Sequence, residues 1–195
     1  ALTGALAASG IDPRAVAALA ITGQLDGCVA VDASGAPLHP ALIWQDRRAV
    51  DHAGDRARVF AIAGQVADPS HLAPKLAWLR ARGVRAARWH EPTSYVTARL
   101  TGEHVLDPAL ASTTMLCDLR AGVWSAELCA AFAVAERELP AIRPATSIAG
   151  ALRAPLAGIP AGTPVAVGTG DDFAAPLGAG VVAPGAAVCA IGTAE

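Results

Sequence analysis

The sequence predicts an α/β chain, a mixed sheet flanked by helices, in the order strand meander, helices, then strand, turn, helix and strand, without a regular βαβ alternation. Three observations carry that expectation. Apolar extended runs between residues 19 and 44 are divided by the strong turn Asp32-Ala33-Ser34-Gly35. Stretches between 45 and 135 repeat their apolar residues at helical spacing. Near the end, "TPVAVGTGDDFAAPLGAG" gives a strand, a glycine turn and a helix in quick succession.

In chain order, residues 1–9 have helical composition and Gly10 suits the stop. Residues 19–22 and 28–32 read as strands. The glycine-bounded link between them suggests a hairpin, extended by 37–44 into an antiparallel meander. Ala49, Val50, Ala53, Ala57 and Phe60 recur at helical spacing up to Gly64. Three more helices follow: 73–83 with Pro74 in its first turn, 91–102 from Pro92 to Gly102, and 125–134 with Ser125 as N-cap. Residues 136–163 are rich in Pro and Gly and read as a connection with short extended pieces. A strand is expected at 163–170, a helix at 171–180 and a further strand at 186–193.

Composition narrows the function. The chain is 53% hydrophobic and only 4% aromatic, so a sizeable core must come mainly from Ala, Val, Leu and Ile. A net charge of -2 argues against a nucleic-acid or anionic-membrane partner, since both need clustered Lys and Arg. The densest basic group, Arg80 to Arg88, is interrupted by Gly83 and reads as a solvated helical face. No run of about 18 apolar residues is present, and no signal peptide is apparent, which suggests a cytoplasmic protein. Both ends look cut, as in a piece of a longer protein. Four cysteines form no CxxC pair; Cys28, Cys117 and Cys189 sit in apolar runs and read as small buried hydrophobes. The five histidines lack metal-ligand spacing, so no metal site is expected.

Chemistry concentrates at Gly168-Thr169-Gly170-Asp171-Asp172. A dinucleotide fingerprint fails there: Phe173 holds the third glycine position, and two carboxylates would repel a pyrophosphate at the helix N-terminus. Two readings stay open from physics alone. The aspartates cap the helix and favour its dipole, or a carboxylate at the end of a strand serves as a base, since ligands bind beyond the carboxyl ends of strands in open α/β sheets.

Several segments in order resemble one family. They are "ITGQLDGCVAVDASGAPLHPALIWQDRRA" (21–49), "APKLAWLRARG" (73–83), "YVTARLTGEHVLDPALASTTMLCDLRAGVWSAEL" (95–128), "PAGTPVAVGTGDDFAAPLGAGVVAPG" (160–185) and "CAIGTAE" (189–195). Together they resemble the FGGY carbohydrate kinases, a family that includes xylulokinase, glycerol kinase, gluconate kinase and ribulokinase. The resemblance implies an actin-like, ribonuclease-H-like fold of two domains, with a sugar in the first domain near the interdomain cleft and ATP across it. This chain would be an incomplete first domain: residues 1–183 the sugar-binding domain without its first strands, and 184–195 the opening strand and phosphate loop of the second.

Roles follow from the same resemblance. Asp171 matches the general base that takes the proton of the attacking hydroxyl. Asp172 holds a sugar-binding position that usually carries Asn or Gln, and an ionised carboxylate there can only accept hydrogen bonds. Leu25 and Asp26 occupy a variable substrate pair that is Met-His in xylulokinases and Arg-Glu in glycerol kinases. Trp44 offers a face to stack a sugar, with a core tryptophan as the alternative. Asp46 and Arg48 form a bidentate pair that fixes a substrate loop, or a plain surface ion pair. Gly192 and Thr193 match the phosphate loop, although Ala194-Glu195 departs from its usual Ser-Gly. Lys75 reads as helix surface and Tyr95 as core. The implied ligands are ATP with Mg2+ and a small sugar or polyol; a homodimer is compatible. A non-catalytic actin-like sugar-binding relative is the competing reading, and an NAD-dependent oxidoreductase a more distant one.

Overall fold

A computed structural model of the protein describes residues 2–189. Its elements in chain order are α1 (Leu2–Ser9), β1 (Thr22–Gly23), β2 (Val29–Val31), α2 (Arg56–Ala63), α3 (Leu72–Ala81), β3 (Arg88–His90), α4 (Pro92–Thr101) and β4 (Val105–Leu106). There follow α5 (Pro108–Thr113), β5 (Cys117–Asp118), β6 (Val123–Trp124), α6 (Ala126–Ala131), β7 (Ala141–Ile142), β8 (Ile148–Ala151), β9 (Pro164–Ala166), β10 (Thr169–Gly170) and α7 (Asp171–Gly178). The helices expected from periodicity and capping near α1, α3, α4, α6 and α7 all form. Asp107 caps the unanticipated α5, accepting from Ala109 N and Leu110 N at 3.2 Å.

Pairing departs from the expected meander. β1 does not pair with β2. It lies parallel to β10, with Thr22 opposite Thr169 and Gly23 opposite Gly170, and Leu19 bridges Val165 in the same sense. β2 runs antiparallel to β3, with Val29 opposite His90. The physical reason lies in the link at 24–28. Asp26 takes a left-handed backbone, φ +59°, and turns the chain out of the first ladder before β2 begins. The later part of the meander survives as bridges from Cys28 to Leu42 and from Val31 to Pro37. The helix expected from 49 onward is also corrected. Gly54 at φ +77° breaks it, leaving a short 3₁₀ turn, Val50–His52, and then α2, capped by Asp55. Val50 and Phe60 are therefore exposed, not inward. Residues 186–189 form no strand; the rest of that expected strand lies outside the described residues.

The main core gathers Cys28, Ala30, Leu42, Leu76, Leu79, Trp89, Leu110, Leu116 and Leu128 between β2, β3, α3, α5 and α6. Trp89, with none of its surface exposed, is the largest fully buried side chain, and Trp78, Trp124 and Phe132 are buried with it, whereas Trp44, Phe60 and Phe173 are exposed. A smaller cluster of Leu152, Ile159 and Val165 packs against Leu2, Leu6, Leu19 and Ile21. Cys28, Cys117 and Cys129 are buried, whereas Cys189, expected inside, is exposed. No helix among the described residues is long and apolar enough to cross a membrane.

Candidate active site

The parallel pairing of β1 with β10 builds the site. Two strands end side by side, so Gln24, Leu25 and Asp26 leave one while Asp171 and Asp172 leave the other. This is the carboxyl end of adjacent parallel strands, where open α/β sheets place ligands. Gly168 makes the approach possible. Its φ is +78°, and a side chain there would run into the Ile21 carbonyl. The close partner of this glycine turn is thus the protein's own β1. The Thr169 hydroxyl donates to Asp107 Oδ2 at 2.9 Å, tying the turn to the cap of α5.

A cleft of about 300 Å³ opens there, lined by Gln24, Leu25, Asp26, Trp44, Asp171 and Asp172. Trp44 is 42% exposed, which removes the core alternative for it. Neither aspartate caps α7: Gly170 is the N-cap and makes no side-chain cap bond. Among the described residues Asp171 Oδ1 accepts only from Asp172 N, at 3.1 Å. Both carboxylates sit in the first helical turn, where the dipole favours them. Among the described residues three carboxylates and no cation line the cleft, so it suits hydroxyl donors and disfavours anions.

Asp46 and Arg48 lie elsewhere. They hold each other through two contacts from Arg48 Nε, at 3.0 and 3.1 Å, and one from Nη2 at 2.5 Å. The Arg48 guanidinium also stands 4.8 Å over the Trp78 ring. Hydrogen bonding to Arg48 holds the Asp46 carboxyl below its ordinary range. The pair braces the segment beyond Trp44 and is absent from the cleft lining. Gly192 and Thr193 lie outside the described residues.

The residue that sequence reasoning missed is Lys75. Expected on a helix surface, it has none of its surface exposed. Its ammonium donates to three main-chain carbonyls: Asp26, Ser70 and, at 2.7 Å, Ile43. Each belongs to a different segment of the site wall. One is the loop carrying Asp26, one precedes Trp44, and one precedes His71, whose Nδ1 lies 2.8 Å from Asp26 Oδ1. Arg47 and Asp68 add a bidentate pair at 3.0 and 2.7 Å between the second and third segments. Beneath them Glu91 is fully buried and accepts from Gly27 N at 2.9 Å. Burial first, and then the Asp26 charge, push its carboxyl well above the usual range; burial pulls Lys75 down. The signals for this support were present in the segments quoted above, where Lys75 and Asp107 both stand. Their burial was not readable from spacing.

Comparison with known proteins agrees with this architecture. The family model for the "FGGY family of carbohydrate kinases, N-terminal domain" matches residues 1–178. Xylulose kinase of Streptomyces coelicolor is 36% identical over 208 aligned positions, covering 99% of this chain and 42% of the relative. Glycerol kinase of Myxococcus xanthus is 34% identical over 206, covering 97% and 41%. Among solved structures, one described as a xyloylose kinase from Brucella ovis superposes with a TM-score of 0.87 at 31% identity, over 95% of this chain and 40% of its own. The chain thus spans about two fifths of the length of the relatives it matches. The fold is the actin-like ATPase fold of these kinases. The parallel ends of β1 and β10 bring Asp171 and Asp26 to one cleft, and the chain belongs to the FGGY family of carbohydrate kinases, as part of its N-terminal domain.

Proposed function

We propose that the full protein phosphorylates a hydroxyl of a small neutral sugar or polyol at the expense of ATP, with Asp171 as general base. The observation that carries this reading is the cleft in which Asp171 stands at a strand end beside Asp26, Trp44 and Asp172. A substrate lies with its carbon chain against Trp44 and Leu25 and donates hydroxyl hydrogen bonds to Asp26 and Asp172. Asp171, with Oδ2 uncommitted among the described residues, accepts the proton of the attacking hydroxyl. The base need not be strong, because positioning and electrostatics carry most of the barrier reduction in phosphoryl transfer.

In this reading residues 1–183 belong to the sugar-binding domain and 184–195 open the nucleotide domain, with Gly192 and Thr193 meeting ATP phosphates. Mg2+ enters only as the companion of those phosphates. No group of three His, Cys, Asp or Glu among the described residues could hold a metal, and no step is routed through one.

The test is ATP turnover by the full-length protein across a panel of sugars and polyols. Asp171→Asn should lower kcat by about 10²–10⁴-fold, the usual contribution of a positioned base. Wild-type turnover by that variant would overturn the assignment.

A further inference from the structure

A second cavity, of about 240 Å³, lies away from the acidic cleft, between the turn after β2 and the outer face of α4. Its lining is opposite in sign. Arg88, Arg99 and Arg153 all face it, with His104 and Tyr95 beside them. None of the three arginines has a carboxylate partner among the described residues, where the ion pairs take other arginines. Arg88 donates from Nη1 to the Arg137 carbonyl at 3.0 Å. This corrects the reading of Arg80 to Arg88 as one solvated face. Arg80 turns to Glu138, with its guanidinium over Trp89, and Arg88 turns into this cavity.

The one acidic group in the lining, Asp32, is already engaged. Its Oδ1 accepts from Ser34 N at 2.8 Å, Ser34 Oγ at 2.6 Å and Ala36 N at 3.0 Å. The Arg153 guanidinium lies over Gly102, in space that any side chain at 102 would fill. The positive field registers on the neighbouring imidazole. Burial, and then Arg88 and Arg153, hold His104 below its usual range against the opposing pull of Glu103.

We propose that this cavity is a binding site for a small phosphate-bearing anion, held by Arg99 and Arg153 with Arg88 behind them. Guanidinium forks match phosphate oxygens two at a time. Three arginines against the one carboxylate of Asp32 leave the lining net positive, which suits a dianion better than a single carboxylate. The volume lies below the roughly 300–1,000 Å³ of pockets that enclose drug-sized ligands, which favours inorganic phosphate or a compact phosphate monoester over a nucleotide. The site is independent of the kinase reading.

The test is calorimetric titration of the full-length protein, at low salt, with inorganic phosphate, methyl phosphate and acetate. Wild type should bind at least one of the two phosphates saturably and acetate far more weakly. Tighter binding of methyl phosphate would identify a monoester as the ligand, and tighter binding of inorganic phosphate the free anion. The double variant Arg99→Ala/Arg153→Ala should weaken the phosphate at least ten-fold with its unliganded melting temperature unchanged, since both side chains are exposed. Asp171→Asn should leave the titration unaltered, which separates this site from the catalytic one. Equal binding of acetate, absence of saturable phosphate binding, or a double variant that binds like wild type would each overturn the proposal.

Discussion

His71 Nδ1 lies 2.8 Å from Oδ1 of Asp26, a residue whose backbone is turned to φ +59°. The contact fixes a carboxylate on the wall of the cleft while its second oxygen has no partner among the described residues. Asp and Asn tolerate the left-handed region better than other side chains. Asp26→Asn should therefore fold within about 1 kcal/mol of wild type, whereas Asp26→Ala should lose roughly 1–2 kcal/mol more. In turnover assays of the full-length protein, both should raise KM for the sugar or polyol far more than they lower kcat. An unchanged KM would remove Asp26 from substrate binding.

Lys75 is the fastening behind that wall. Lys75→Met leaves the carbonyls of Asp26, Ile43 and Ser70 without their shared donor. Unsatisfied buried acceptors are costly, so denaturant unfolding should show a loss of about 2–3 kcal/mol. Lys75→Arg keeps the charge but not the compact ammonium, and should recover only part. A surface lysine would show neither effect.

His90 makes stability depend on pH. Burial first, and then His104 and Arg88, pull its pKa from the ordinary 6.5 to about 3. A base with a depressed folded pKa contributes stability that is full above pH 6.5 and is lost as pH falls toward 3. Between pH 7 and 5 the loss from this group is about 2 kcal/mol. His90→Gln should flatten that part of the profile in denaturant melts. Parallel wild-type and variant profiles would refute the assignment.

Gly168→Ala tests the turn that sets the two strand ends together. The added methyl meets the Ile21 carbonyl on a backbone at φ +78°. Left-handed strain and overpacking together should cost about 2–4 kcal/mol, read as a drop in melting temperature. Gly83→Ala, also at positive φ but with open space around it, should show the backbone part alone.

The helices were legible locally because their signals are local. Ser125 accepts from the amide three residues on, and Gly64 and Gly102 close α2 and α4 with left-handed backbones; the Asp55 cap that starts α2 and the Asp107 cap that starts α5 went unread. Strand partners were not legible, because pairing depends on residues far apart in sequence: β1 finds β10 nearly 150 positions away. The hairpin expectation failed on one dihedral, at Asp26. Asp171, Asp172, Leu25, Asp26 and Trp44 came forward from residue type and resemblance, and the structure brings all five to one cleft. Asp46 and Arg48 came forward in the same way, but their charges satisfy one another outside it.

By itself, the sequence determined the α/β class, the helix ends at Gly64, Gly102 and Ser125, and a carboxylate pair at a strand end. Those features follow from backbone chemistry within a few residues. Only the tertiary structure decided that Lys75 is buried under three carbonyls, that neither aspartate caps its helix, and that arginines from three segments share one cavity. Burial and charge compensation are properties of the surroundings, and the surroundings exist only once distant segments have packed.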